Sequence, residues 1–243
     1  MPHDMKTFYW SLFFLAALFC DAVFISMNDD KLRVFSKPLL VLLLIALVLN
    51  ATPRYTAPLK TGLLVALVAS WFGDVLLLRP GTTFFIAGIA AFLVAQVAYG
   101  LSFNALRQQK GIRFRPLMLV PVLTYYVCLI SLLFEHLGDF LIPVLVYGVV
   151  ISFMLAMALQ LVRLKNRRSA ALLFGGALLF VTSDSILALS RFYWKQSSTP
   201  IELLIMLTYG LAQLFLCIGL LNHIAPPRTP KKSPEALRQE LLN

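Results

Sequence analysis

The sequence predicts an all-α integral membrane protein of eight transmembrane helices. Three observations predict it. Hydrophobic residues make up 60% of the 243-residue chain, and the mean hydropathy is +0.84. Only 13% of the residues are charged, about half the ~25% usual in soluble domains. The apolar residues also gather into eight runs with polar breaks between them, and most runs reach the ~17–25 residues that cross a bilayer as helix.

The first run, Phe8–Ile25, follows a lone Lys6, contains Asp21 and is not followed by a small-x-small cleavage pattern. It therefore reads as a span and not as a removed leader. The second, Val34–Leu49, is the shortest and is strictly apolar only from Pro38. Its approach, Ser36-Lys37-Pro38-Leu39, reads as a helix start with the lysine just outside it. Ala57–Leu78, Thr82–Leu106, Pro116–Phe134 and Phe140–Val162 supply spans three to six, and Ser169–Leu189 and Pro200–Leu221 the last two. Residues 1–224 form one membrane domain. Residues 225–243, with Pro226, Pro227, Pro230, Lys231, Lys232 and Pro234, read as a polar, proline-rich basic tail.

Charge placement sets an expected orientation. One set of alternate connections, with the termini, holds Lys6, Arg54, Lys60, the Arg107–Arg115 and Arg163–Arg168 clusters, and the tail. The other holds only Lys31, Arg33, Lys37, Arg79, Arg191 and Lys195. The bias puts both termini in the cytoplasm. The formal net charge of +10 is then a topology signal with some attraction to anionic headgroups, and no nucleic-acid partner is expected. In this orientation Asp21, Asp74, Asp184, Lys37 and Glu202 all fall in the outer half of the membrane, so a polar cavity should open there. Lys60, alone in the other half, should snorkel to its own interface.

Asp74 and Asp184 lie late in their runs, in the near-matching strings Trp71-Phe72-Gly73-Asp74-Val75-Leu76 and Val181-Thr182-Ser183-Asp184-Ser185-Ile186. A carboxylate in the hydrocarbon layer costs at least ~2.5 kcal/mol on insertion scales, so such groups are functional by default. Leu93-Val94-Ala95-Gln96 and Gly210-Leu211-Ala212-Gln213 match more weakly. Together they suggest a parallel four-plus-four internal repeat with one site at its interface. Two carboxyls sharing a low-dielectric site do not both ionise readily, so one can keep a proton while its partner is charged. Ser70, Thr182, Ser183 and Ser185 flank the pair as candidate donors. Lys37 is placed to meet a phosphate or an aspartate, and Asp21 is either a helix-end residue or a member of the site. Gln96, Tyr99, Tyr209 and Gln213 are either interhelical glue or part of the same site. Glu202, in the first turn of the eighth span, reads as a helix-dipole residue. His3, His136 and His223 are scattered and Cys20, Cys128 and Cys217 lie inside spans, so no metal-ligand spacing appears.

Several of these elements resemble the lysoplasmalogenase family, the YhhN-like membrane proteins. They are Ser36-Lys37-Pro38-Leu39, Phe72-Gly73-Asp74-Val75-Leu76-Leu77, Phe85-x-x-Gly88-x-x-x-Phe92-x-x-x-Gln96-x-x-Tyr99, Gly176-Ala177-Leu178-Leu179-Phe180-x-x-Ser183-Asp184 and Tyr209-Gly210-Leu211-Ala212-Gln213. They run in order along nearly the whole chain. Gln96 stands where many members carry a histidine, and the basic tail is not part of the pattern. The resemblance implies hydrolysis of the vinyl ether bond of lysoplasmalogens to a fatty aldehyde and a glycerophospho-ethanolamine or -choline. It implies Asp74 and Asp184 as acid and base, and no metal or organic cofactor. It also implies a lysophospholipid held within the bilayer, its headgroup near Lys37, with Ser36, Asp21, Ser183, Gln96, Tyr99, Tyr209 and Gln213 lining its site. The short loops suit a bacterial inner membrane. Paired intramembrane aspartates in a repeat also fit a proton-coupled carrier of small molecules or lipids. Against it, no corresponding spans are broken by proline or glycine, and the charges sit toward one face.

Overall fold

A computed structural model describes residues 3–51 and 58–224. Arg54 and the 225–243 tail lie outside the described residues. Eight helices result: α1 (His3–Ser26), α2 (Asp30–Ala51), α3 (Pro58–Leu77), α4 (Thr82–Gln109), α5 (Val120–Leu133), α6 (Leu141–Gln160), α7 (Arg167–Ala188) and α8 (Thr199–Ile224). All eight are long and apolar enough to cross a membrane. Short 3-10 turns lead into α5, join it to α6 and close α6, while α7 runs on into a π-turn at Leu189–Tyr193. Among the described residues there is no strand.

The start of α2 differs from the sequence expectation. The Asp29 carboxylate accepts the Leu32 N–H at 3.1 Å, an N-cap that sets the helix going nearly two turns before Pro38. Pro38 therefore lies inside the helix. A proline there removes one backbone donor and crowds the preceding turn, but membrane helices tolerate it where neighbouring groups re-satisfy the backbone. As a result Lys37 sits on the α2 surface and not ahead of it. Lys60 is buried, at 8% exposed.

Packing follows from small residues at the crossings. A Cβ on Gly73 would fall 2.6 Å from the Phe92 ring, and one on Gly176 2.8 Å from Leu216. Only glycine allows α3 to approach α4, and α7 to approach α8, this closely, and these are the two most extensive helix pairings. The remaining contacts follow the expected repeat in part: α1 meets α2 as α5 meets α6, and α2 meets α8 as α6 meets α4. The halves are not equivalent, since α1 also packs on α8 while α5 has no comparable contact with α4. Phe14, Leu44, Leu63, Leu67, Phe103 and Phe180 are among the fully buried side chains of one continuous core. The outward faces remain apolar, with Phe8, Leu12, Phe13 and Phe19 on α1 and Leu123 and Val127 on α5 exposed. In water such faces call for a partner; in lipid they are already in a matching solvent.

Candidate functional site

One cavity of about 860 Å³ opens at the end of the bundle that carries the α3–α4 and α7–α8 connections. It takes Lys37 from α2, Asp74 from α3, Phe85 and Phe92 from α4, Ser183 and Asp184 from α7, and Tyr209 from α8. Both aspartates therefore reach one space. Their surroundings differ. Asp74 is almost sealed, with a side chain 1% exposed, and its Oδ1 lies 3.6 Å from Lys37 Nζ. Its Oδ2 accepts a hydrogen bond from Tyr209 at 2.7 Å. Asp184 is only partly buried, and its Oδ2 accepts from the Tyr147 hydroxyl at 2.5 Å.

Helix by helix, the partners follow the repeat. Asp74 is met by Lys37 from the preceding helix, α2, and by Tyr209 from α8, the last helix of the other half. Asp184 is met by Tyr147 from its own preceding helix, α6, and has Gln96 beside it from α4, the last helix of the other half. The two aspartates occupy equivalent places, but a cation stands beside Asp74, whereas the Asp184 carboxylate is met by a neutral tyrosine.

Tyr209 belongs to a chain of buried groups. Tyr99 donates to Gln213 Oε1 at 2.6 Å, and Gln213 Nε2 donates to the Tyr209 oxygen at 3.2 Å. Tyr99 and Gln213 thus stand behind the cavity and act on it through Tyr209. Phe92 and Phe180 pack edge-on against the Tyr209 ring, at centroid distances of 5.7 and 5.5 Å. Ordered donors of this kind fix a carboxylate's orientation as well as its charge. Gln96 is fully buried beside Asp184 and Tyr147, yet neither amide atom has a hydrogen-bond partner among protein atoms.

Ser36 and Asp21 are buried together, with the Ser36 hydroxyl donating to Asp21 Oδ1, and neither lines the cavity. The flanking hydroxyls do not serve the aspartates as expected. Thr182 and Ser185 donate to the carbonyls four residues back, at 2.9 and 2.5 Å, and Ser183 donates to the Ile205 carbonyl at 2.9 Å. Away from water a helical hydroxyl finds a nearby carbonyl first. Tyrosines supply the donors instead. Tyr147 escaped the sequence reading because a lone tyrosine in an apolar span gives no signal of its own. The repeat does give one, since α6 should carry a polar counterpart to Lys37. Glu202 is more than a helix-end residue: it accepts from Arg33 at 2.7 Å and from Ser197 at 2.9 Å on the cavity rim. Among the described residues no cluster of metal-ligating side chains forms.

Eight helices long and apolar enough to span a membrane, around a cavity lined by charged side chains, define a multi-pass integral membrane protein with a candidate site inside the bundle. The chain belongs to the YhhN family, whose pattern matches residues 32–220. It is 33% identical over 175 residues to lysoplasmalogenase TMEM86A of Bos taurus, covering 70% of each chain. It is 34% identical over 158 residues to lysoplasmalogenase TMEM86B of Rattus norvegicus, covering 65% of this chain and 60% of the rat protein. No solved structure matches it.

Proposed function

We propose that the protein is a membrane hydrolase that cleaves the vinyl ether bond of lysoplasmalogens, with Asp184 as general acid and Asp74 as the resident carboxylate. The observation that carries this reading is the unlike pairing of two aspartates on one cavity: Asp74 faces Lys37 at 3.6 Å, while Asp184 takes a neutral tyrosine. An ammonium beside a carboxylate keeps it charged, and a second carboxyl sharing the space then holds its proton more readily. Asp184 is also the more accessible of the two. The relatives named lysoplasmalogenase support the same substrate class.

The chemistry follows from those states. The Asp184 carboxyl gives its proton to the β-carbon of the vinyl ether, the alkene π pair forming the new C–H bond. The resulting oxocarbenium ion is stabilised by the Asp74 carboxylate. Water adds to the α-carbon and returns a proton to Asp184. The hemiacetal then breaks its bond to the glycerol oxygen, which takes the hydroxyl proton, releasing aldehyde and glycerophospho-alcohol. One water is consumed and the acid is regenerated. Proton transfer by a positioned carboxyl contributes roughly 10²–10⁴-fold to rate, and the division of labour parallels that of the paired carboxyls of glycosidases.

Turnover of lysoplasmenyl-ethanolamine by detergent-purified protein tests the reading. Aldehyde should appear in step with glycerophosphoethanolamine, and in D₂O it should carry one deuterium at C-2. Proton-dependent uptake into liposomes without any aldehyde would instead favour a carrier built on the same aspartates.

A further inference from the structure

Five cations line the cavity, Arg33, Lys37, Arg79, Arg191 and Lys195, against three carboxylates, Asp74, Asp184 and Glu202. Arg33 pairs with Glu202 at 2.7 Å and Lys37 lies 3.6 Å from Asp74. Arg79, Arg191 and Lys195 have no carboxylate partner among the described residues, and all three lie at the exposed rim. Three cations facing one opening without a counter-charge repel one another unless an anion joins them.

The segment bearing two of them is specially shaped. After Asp184, α7 widens into a π-turn in which the Trp194 N–H donates to the Leu189 carbonyl at 2.8 Å. π-turns inside helices recur at functional sites. Lys195 follows in a left-handed conformation with φ of 51°, unusual for a residue with a side chain. Ser190 and Gln196 close this turn: the Ser190 hydroxyl donates to the Gln196 carbonyl at 2.8 Å, and the Gln196 N–H donates to the Ser190 carbonyl at 3.1 Å. The turn holds the Arg191 guanidinium over the Phe85 ring, 3.8 Å from its centroid. A guanidinium stacked by its face keeps its N–H edge available, the geometry that binds phosphate oxygens two at a time. From the α3–α4 connection Arg79 comes in over Phe84 at 5.4 Å. Below the rim, Leu77, Leu187, Ile205 and Met206 make an apolar wall that leads to the two aspartates.

We propose that Arg191, Lys195 and Arg79 form a clamp for the phosphodiester of a single-chain phospholipid, with its chain against the apolar wall. The proposal rests on the hydrolase reading and adds to it the means by which the site selects phosphorylated substrates. A free phosphate would satisfy the cations but leave the wall unused, so a lipid phosphate is the ligand the whole cavity fits.

The test compares lysoplasmenyl-ethanolamine with the phosphate-free 1-alkenylglycerol, using purified wild type, Arg191→Gln, and Arg191→Gln combined with Lys195→Asn. The wild type should prefer the phospholipid, and the variants should narrow that preference by about tenfold or more, mainly through KM. Equal loss on both substrates, or an unchanged preference, would overturn the clamp. A second arm is independent of turnover: thermal stabilisation by a non-hydrolysable 1-O-alkyl lysophospholipid. Arg191-dependent stabilisation without aldehyde release in the first arm would uphold the clamp while the hydrolase reading falls. Stabilisation by inorganic phosphate equal to that given by the lipid would assign the cations to a free anion and overturn the lipid assignment.

Discussion

Tyr147 donates its phenolic hydrogen to Asp184 across 2.5 Å, tying α6 to the carboxylate of α7. Tyr209 does the same for Asp74 from α8, at 2.7 Å. Each aspartate is thus held by a tyrosine, but only Asp74 also has a cation. That difference between otherwise equivalent positions underlies the separate roles proposed for them.

If Tyr147 orients Asp184 for proton transfer, Tyr147→Phe should keep the fold and the cavity while freeing the carboxyl to turn. A hydrogen bond to a neutral carboxyl is worth about 0.5–1.5 kcal/mol, so kcat should fall roughly two- to tenfold. KM should stay within about twofold, because the substrate is not what Tyr147 touches. An unchanged kcat would remove Tyr147 from the account.

Lys37 is expected to act through Asp74. Replacing it with Met leaves a charge in a nearly sealed place without its partner, a change that costs on the order of 3 kcal/mol. Thermal unfolding in detergent should register the loss. Adding Asp74→Asn to Lys37→Met should restore most of the stability but no activity. If the double variant is no more stable than Lys37→Met alone, the pairing carries no weight.

Much of this is legible in the amino-acid sequence. The eight spans follow from hydropathy, because lipid demands long apolar helices with every backbone group satisfied within them. Asp74, Asp184 and Lys37 stood out because charge is rare at such depth. What escaped depends on contacts across helices. Pro38 read as a helix start because local preference says so, yet the Asp29 cap begins α2 earlier. Arg191 and Lys195 read only as connection charge in the sequence, since no hydropathy pattern announces the π-turn that aims Arg191 at Phe85. The serines looked like donors to the aspartates, but helix geometry offered them carbonyls first.

The close approach of α3 and α4 gives a stability prediction. In Gly73→Ala the new methyl would fall 2.6 Å from the Phe92 ring, forcing that ring off its place against Tyr209. Overpacking of this kind costs typically about 1–3 kcal/mol, so the melting temperature should drop. Gly175→Ala, whose methyl would meet only Phe215 at 4.0 Å, should be nearly neutral. Equal effects at the two glycines would contradict the packing argument.

Orientation is open to a direct check. With Cys20, Cys128 and Cys217 replaced by serine, Lys31→Cys should react with a membrane-impermeant maleimide in intact cells. Arg113→Cys should react only after permeabilisation. The reverse pattern would invert the topology inferred from the basic residues and turn the cavity mouth to the cytoplasm.

The central claim is that Asp184 and Asp74 together cleave a vinyl ether. The most direct measurement is aldehyde release from lysoplasmenyl-ethanolamine by the wild type, Asp184→Asn and Asp74→Asn, each shown folded by its melting curve. Asparagine keeps the shape of the side chain but cannot give the proton or carry the charge, so both variants should lose at least ~100-fold in kcat. A folded Asp184→Asn protein that releases aldehyde at the wild-type rate would contradict the account.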